Sequence, residues 1–284
     1  MGQPEHLTFW HGAWRWFVEP LRRANDESRA YLASPAGRSV DGKVVGILLT
    51  TALALTIQRF VGQDNGYYRA VHILEWLGCD ELAGSFAARM DSARDGSLER
   101  LSWWAAVCVA TYVVIPALLI CFGLRERLRD YGVKPYGALA GWPMYVAMLA
   151  VMGPLVWLMS GDEHFQATYP FLRVGHGEPL WPRFWCWEAL YAVQFVSLEF
   201  FFRGFLLHGT RRRFGAYSIP VMMIPYCMIH FTKPMPEAFA SIVAGLVLGY
   251  MSLRTRSIWL GAAIHITVAL SMDFASLWQQ GQFG

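Results

Sequence analysis

Ionisable side chains stand inside long apolar runs in the second half of this sequence. A charged side chain at bilayer depth costs at least about 2.5–3.5 kcal/mol on insertion scales, so such residues normally face a bundle interior or a cavity. Their clustering indicates a buried polar site in which carboxylate, guanidinium and imidazole groups come together. They are Glu188, Glu199, Arg203, His230, His265 and Asp273.

Glu199 and Arg203 are four residues apart, with the acid first. In a helix this spacing places both side chains on one face, in the order that favours an ion pair. Such a pair is consistent with the simple neutralisation of two charges. It is equally consistent with a carboxylate that is held in place for catalysis.

His230 and His265 each lie singly within an apolar stretch. A lone His in this setting is more often a satisfied core residue than a ligand or a catalyst. Two of them with Glu199 fit another chemistry, because a carboxylate base with imidazole partners can activate water for attack on a peptide carbonyl. Imidazoles can also stabilise the resulting oxyanion. The same three side chains could instead bind zinc with one open coordination position.

The segments that carry these residues are long enough to cross a membrane. Of the 284 residues, 55% are hydrophobic and 16% are charged, which places the chain among membrane proteins. A bilayer core about 30 Å thick needs roughly 20 helical residues. The pattern predicts an all-α polytopic membrane protein with about seven transmembrane helices, over residues 44–61, 102–122, 141–159, 184–208, 216–232, 237–253 and 257–276.

The distribution of positive charge predicts how these helices are oriented. With the N-terminus inside, 16 Lys and Arg residues fall on the cytoplasmic side and 8 on the other, so we expect an N-in, C-out topology. Residues 7–24 mix aromatic residues with Arg and predict an interfacial amphipathic helix. The outer loop at residues 62–100 has some helical periodicity. A net charge of +3 gives no reason to expect a nucleic acid partner.

The order of these residues resembles that of a known family. The run from Glu199 through three Phe to Arg203, then Tyr226 four residues before His230, then His265 in the last helix, is similar to the CPBP family. These are the CAAX-protease and bacteriocin-processing (Abi) membrane proteins. The resemblance implies an intramembrane endopeptidase in which Glu199, His230 and His265 are catalytic. It implies supporting roles for Arg203 and Tyr226, and we expect Asp273 to support the site by orienting a histidine.

Three positions depart from the family pattern, and the mildest departure is Tyr226 in place of the usual Phe. Leu198 stands where the family has its first Glu, so Glu199 corresponds to the second Glu of the motif. Ala269 stands where Asn or Asp is expected four residues after His265, and Asp273 follows one turn later. Either Glu199 alone serves as the base, which we favour, or the fold has become a non-catalytic membrane binding or immunity protein. A transporter is a more distant alternative.

The predicted organisation has three parts. Residues 1–43 form a cytoplasmic interfacial segment, residues 44–124 contain the first two transmembrane helices with an outer loop, and residues 125–284 form the catalytic membrane domain. The expected partners are a membrane-associated protein or peptide substrate and the lipid bilayer. The favoured mechanism requires no cofactor, with zinc as the alternative. We expect the protein to be a multi-pass protein of the bacterial inner membrane.

Overall fold

The computed structural model describes residue 12 and residues 14–63, 65–135, 141–174, 179–233 and 235–282. In these residues the ordered backbone is helical, and no strand is formed. The helices are α1 (Glu19–Ala33), α2 (Gly42–Val61), α3 (Tyr67–Trp76), α4 (Asp80–Ser92), α5 (Leu98–Gly123), α6 (Trp142–Met159), α7 (Glu163–Thr168), α8 (Arg183–Glu199), α9 (Gly209–Phe214), α10 (Ser218–Met228), α11 (Met235–Thr255) and α12 (Trp259–Gln279). A π-helical segment (Phe200–His208) joins α8 to α9.

Six helical segments of the described chain are long and apolar enough to cross a membrane. Their lengths fit the roughly 20 residues that a bilayer core requires. The prediction of an all-α polytopic membrane protein is therefore confirmed. The segments are Gly42–Val61, Leu98–Gly123, Trp142–Met159, Arg183–Met228, Met235–Thr255 and Trp259–Gln279. The N-in, C-out orientation stays a prediction.

Six such segments are found where the sequence predicts seven spans, and the exact number of spans stays a prediction. The fourth and fifth predicted helices both fall in the continuous segment Arg183–Met228. The chain reverses inside that segment at Gly215, whose φ of +58° is a conformation that favours glycine. The helix that follows, α10, has 11 residues. At 1.5 Å per residue it is about 17 Å long, too short to cross the core alone.

The predicted N-terminal helix is present in part. Residues 7–11 and 13 of the predicted stretch lie outside the described residues, whereas Trp14–Val18 is π-helical and leads into α1. One side of α1 docks on the protein: Ser28 Oγ donates to the Arg213 carbonyl at 2.9 Å, and Asn25 Oδ1 accepts from the Ala216 amide at 2.8 Å. The predicted helical character of the 62–100 loop is confirmed by α3 and α4.

The chain divides into two compact units, and each is built from several separate stretches. The first contains Met1–Thr51, Pro116–Gly141 and Glu199–Gly261. The second contains Ala52–Ile115, Trp142–Leu198 and Ala262–Gly284. This division does not test the three-part organisation predicted from the sequence, which stays a prediction.

In the first unit, α10 packs closely against α11 through two glycines. A Cβ atom at Gly245 would lie 2.8 Å from Met223 Cγ, and one at Gly249 would lie 2.8 Å from Met222 Cε. Small residues four positions apart let helix backbones approach each other in membrane proteins. This contact fixes α10, which carries Tyr226, in the unit that contains Glu199.

In the second unit, α8 and α12 run antiparallel and share an aromatic core. The rings of Phe184 and Phe274 meet edge to face at 5.2 Å near one end, and those of Phe195 and His265 stack at 5.3 Å further along. Phe184, Trp187, Tyr191, Leu172 and Leu277 form the buried cluster. Aromatic pairs in these geometries are worth about 0.5–1.5 kcal/mol each beyond area burial.

Glu126 is the acceptor of a small hydrogen-bond network in the first unit. Lys43 Nζ donates to its two oxygens at 2.7 and 3.0 Å, and the buried Tyr131 hydroxyl donates at 2.6 Å. Burial raises the pKa of Glu126, but these hydrogen bonds outweigh burial and hold it below its ordinary value. A carboxyl group whose pKa is lowered by folding stabilises the folded protein at any pH above its pKa in the unfolded chain. This stabilisation is lost as the pH falls through its pKa in the folded protein.

Replacing Glu126 with Gln is therefore expected to lower the melting temperature at pH 7 by about 2–4 °C. The difference from the wild type should shrink as the pH falls from about 4.3, the ordinary glutamate pKa, through the lower pKa of Glu126 in the folded protein, below which the wild-type carboxyl is also neutral. Thermal unfolding of the detergent-solubilised protein across this pH range measures both effects. Asp130→Asn is the control, since Asp130 is exposed and its ion pair with Lys134 is long, at 4.0 Å. A pH-independent Glu126→Gln effect would contradict the assignment.

Candidate functional site

The π-helical segment Phe200–His208 is the local structure that positions the Glu199 and Arg203 side chains. All nine of its residues are buried. Wider π turns are rare and occur frequently at functional sites. Gly204 lies within the segment where the chain passes Tyr131, and a Cβ atom there would lie 2.8 Å from the Tyr131 carbonyl oxygen. A side chain at this position would push the segment away from its neighbour.

Glu199 and Arg203 form an ion pair that is entirely inside the first unit. Arg203 Nη1 lies 3.0 Å from Glu199 Oε1, and neither side chain has any exposed surface. Desolvating two charges costs several kcal/mol per ion, and only a close partner with good geometry compensates for that cost. The predicted ion pair is present. Each residue can be buried because the other compensates for the cost of desolvating its charge.

Tyr226 lies on the other side of the arginine. The Arg203 guanidinium lies 4.1 Å from the centroid of the Tyr226 ring, a cation–π contact. The Phe202 ring meets the same tyrosine edge to face at 5.3 Å. The ring face of Tyr226 therefore stabilises the Arg203 guanidinium. This contact explains physically why an aromatic residue stands four positions before His230.

His230 lies just beyond the end of α10 rather than inside a helix. Its backbone amide donates to the Cys227 carbonyl at 2.9 Å, in a tight turn, and this leaves the Tyr226 carbonyl available. His230 Nδ1 lies 2.8 Å from that oxygen. A carbonyl oxygen only accepts hydrogen bonds, so Nδ1 carries the proton. In the neutral ring, Nε2 then holds the lone pair that can accept a proton.

Gly261 lets the Glu199 carboxylate lie against the first turn of α12. A Cβ atom at position 261 would overlap Glu199 Oε2 and lie 2.8 Å from Glu199 Cδ. The first turn of a helix has free amide groups and a partial positive charge, which stabilises a nearby anion. Gly261 was not among the site residues predicted from the sequence. The feature that could have indicated it is a glycine in the first turn of an otherwise apolar helix, shortly before His265.

Replacing Gly261 with Ala is expected to displace the Glu199 carboxylate. Overpacking a buried site costs about 1–3 kcal/mol of stability. If Glu199 acts in catalysis, a displacement of about 1 Å should reduce turnover by about 100-fold. Gly153→Ala is the control, because a Cβ atom at Gly153, also in a membrane-crossing helix, meets nothing within 4 Å. Equal turnover and stability in both variants would contradict this role for Gly261.

His265 and Asp273 lie in the second unit, both on α12. His265 stacks on Phe195 with an angle of 13° between the rings. Asp273 is fully buried, and its Oδ2 accepts a hydrogen bond from Trp187 Nε1 at 3.1 Å. Glu188 interacts with Asp273 and is itself 5% exposed. Asp273 therefore contacts two residues of α8. Its contact with Trp187 was not predicted from the sequence.

The predicted site residues thus fall into two groups. Glu199, Arg203, Tyr226 and His230 form one connected set in the first unit, and His265 and Asp273 belong to the second. Among the described residues, no group of three or more His, Cys, Asp or Glu side chains has the arrangement to hold a metal ion. Of the conditional zinc ligands, Glu199 and His230 belong to the first unit and His265 to the second, and zinc as a cofactor stays a prediction.

A comparison of the sequence with known protein families finds a match. Residues 179–271 match the family model described as type II CAAX prenyl endopeptidase Rce1-like. The match supports the assignment of this segment to the CAAX protease (CPBP) family. The matched residues make up about a third of the chain and contain Glu199, Arg203, Tyr226, His230 and His265. No match is found among the curated proteins or among the solved structures.

The match to the CAAX protease family carries two general consequences. The family implies a protease, and therefore a hydrolase, acting on a membrane-associated protein substrate. Together with the six apolar helical segments it also gives an integral multi-pass membrane protein. Asp273 lies two residues beyond the end of the matched segment.

Proposed function

We propose that this protein is an intramembrane endopeptidase that hydrolyses a peptide bond of a membrane-associated protein or peptide by means of Glu199 and histidine. The observation that carries the proposal is the connected set of Glu199, Arg203, Tyr226 and His230, buried in the part of the chain that matches the CAAX protease family. A buried charge set of this kind is costly in a membrane and normally marks a functional site.

Glu199 is the general base in this mechanism. Its carboxyl group lies against Arg203 and the first turn of α12, and a carboxylate is the form that a general base requires. A water molecule that gives its proton to the carboxylate attacks the scissile carbonyl carbon. The proton then passes to the leaving amine as the carbon–nitrogen bond breaks. Proton transfer by a positioned group contributes about 10²–10⁴-fold to the rate.

The histidines stabilise the oxyanion and share the proton transfer. His230 Nδ1 is bound to the Tyr226 carbonyl, so its Nε2 is the ring nitrogen that can accept a proton in the neutral ring and donate one after protonation. His265 is oriented by its stack on Phe195. A preorganised donor aimed at an oxyanion is worth about 10²–10³ in turnover.

A cleavage assay in proteoliposomes tests the proposal. Two substrate classes are offered, peptides with a prenylated C-terminal CAAX sequence and non-lipidated precursor peptides of the kind that bacteriocin processing would use. Mass spectrometry identifies the products, and the metal content of the purified protein is measured first. We expect cleavage that persists in the presence of a chelator. Cleavage that is lost with a chelator and restored by zinc would replace the glutamate mechanism by a metal-dependent one.

A second candidate function follows from Leu198. This residue is 6% exposed and apolar where the family has its first Glu, so its position contributes no acid to the site. On this basis the chain would be a non-catalytic membrane binding or immunity protein with the same fold. Two results together would favour this second function. The folded protein would cleave neither substrate class, and the Glu199→Gln variant would retain the biological activity.

A further inference from the structure

A cavity of about 610 Å³ in the first unit has walls that are strongly cationic. Eight Lys and Arg residues line it, against two acidic residues. The cavity is separate from the Glu199 set, none of whose members lines it. Several like charges around one concave surface raise the local concentration of anions and repel one another when no anion is present.

Internal partners neutralise only part of this charge. Lys43 is bound by Glu126, and Glu27 accepts from both Arg211 at 3.0 Å and Arg256 at 2.8 Å. In the described part of the chain, four further cations of the cavity form no ion pair. Three of them, Arg125, Arg127 and Arg129, follow one another at alternate positions after the end of α5. The fourth, Arg212, lies over the Tyr31 ring at 5.2 Å.

The cavity lies where three membrane-crossing segments end. Lys43 is the second residue of α2, Arg125 comes two residues after the end of α5, and Arg256 directly follows the end of α11. The ends of segments that cross the hydrocarbon core lie at the depth of the lipid headgroups. A phosphate group of a lipid is therefore the anion that is present at this position at the highest concentration.

The backbone gives independent support for Arg125 and Arg256. Their φ angles are +55° and +56°, in the left-handed region, and no other non-glycine residue of the described chain has a positive φ. This conformation is uncommon for residues other than glycine, and strained residues cluster at ligand clamps. Glycine would relieve the strain at both positions but would remove a guanidinium from the cavity.

We propose that this cavity binds the phosphate group of an anionic phospholipid headgroup. Guanidinium groups pair with phosphate oxygens through two parallel hydrogen bonds, which suits the unpaired Arg127 and Arg129. Basic pockets between transmembrane helices are a known way to bind such headgroups. The site would fix the helix ends of the first unit to lipid, independently of whether Glu199 is catalytic.

Titration of the full-length, detergent-solubilised protein tests this site. Short-chain phosphatidylglycerol, short-chain phosphatidylcholine and inorganic phosphate are titrated separately, and binding is measured by calorimetry. We expect phosphatidylglycerol to bind at least about tenfold more tightly than phosphatidylcholine. The double variant Arg127→Gln/Arg129→Gln should weaken phosphatidylglycerol binding by about 25-fold, or about fivefold for each charge. Both residues are exposed and form no ion pair, so folding should be retained.

The matched control is Arg22→Gln/Arg29→Gln, which removes two charges from α1 without touching the cavity. It should change binding by less than about twofold. An equal loss in both double variants would show non-specific attraction and reject the site. Arg125→Gly should weaken binding about fivefold without lowering the melting temperature. Inorganic phosphate that binds as tightly as phosphatidylglycerol would reject the lipid as occupant in favour of a free phosphate compound.

Discussion

Glu199→Gln is expected to reduce peptide-bond cleavage by about 10²–10⁴-fold while leaving the protein folded. The amide has nearly the shape of the carboxylate, and its oxygen can still accept a hydrogen bond from Arg203, which lies 3.0 Å from Glu199. It cannot accept a proton from water as a carboxylate does. Turnover in proteoliposomes and the melting temperature in detergent, measured on the same preparation, separate the catalytic effect from the effect on folding.

Glu188→Gln is the matched control for this experiment. Glu188 lies on the same helix, α8, and is also buried, at 5% exposed, but it interacts with Asp273 in the second unit. The same chemical change there should leave turnover close to that of the wild type. Wild-type cleavage in Glu199→Gln would remove Glu199 from the reaction. Equal losses in both variants would assign the effect to general disturbance of buried carboxyl groups.

The sequence predicts most of the helical fold, for a simple physical reason. Long apolar runs can be satisfied in a membrane only by helices, so the spans over residues 44–61, 102–122 and 141–159 have observed counterparts. The reversal at Gly215 and the short α10 depend on local backbone geometry and on packing against α11. A hydropathy pattern contains neither, which is why the fifth predicted span, over residues 216–232, has no candidate segment of its own.

The candidate site was predictable in its residue types but not in its contacts. The spacing of Glu199 and Arg203 predicted their ion pair, because four residues is a local distance along a helix. The stack of Tyr226 on Arg203 and the approach of Gly261 to Glu199 are contacts between distant segments. They follow from the packing of α10 and α12, and no single segment of the sequence reveals them.

Replacing Arg203 with Met is expected to destabilise the protein by about 3–5 kcal/mol. The reason is that Glu199 would remain with no exposed surface and without its cation at 3.0 Å. Methionine fills much of the volume of the arginine stem, so the loss would come mainly from the uncompensated charge. Unfolding in detergent, followed by loss of helical circular dichroism, measures the change against the wild type.

The double variant Glu199→Gln/Arg203→Met distinguishes a structural ion pair from a catalytic one. It removes both charges, so most of the stability lost in Arg203→Met should return, as replacing a whole buried ion pair is often close to neutral. Cleavage should not return, because the base is absent. Arg203→Met with wild-type stability would show that the pair does not support the fold. Recovery of both stability and cleavage in the double variant would show that Glu199 and Arg203 serve the fold alone.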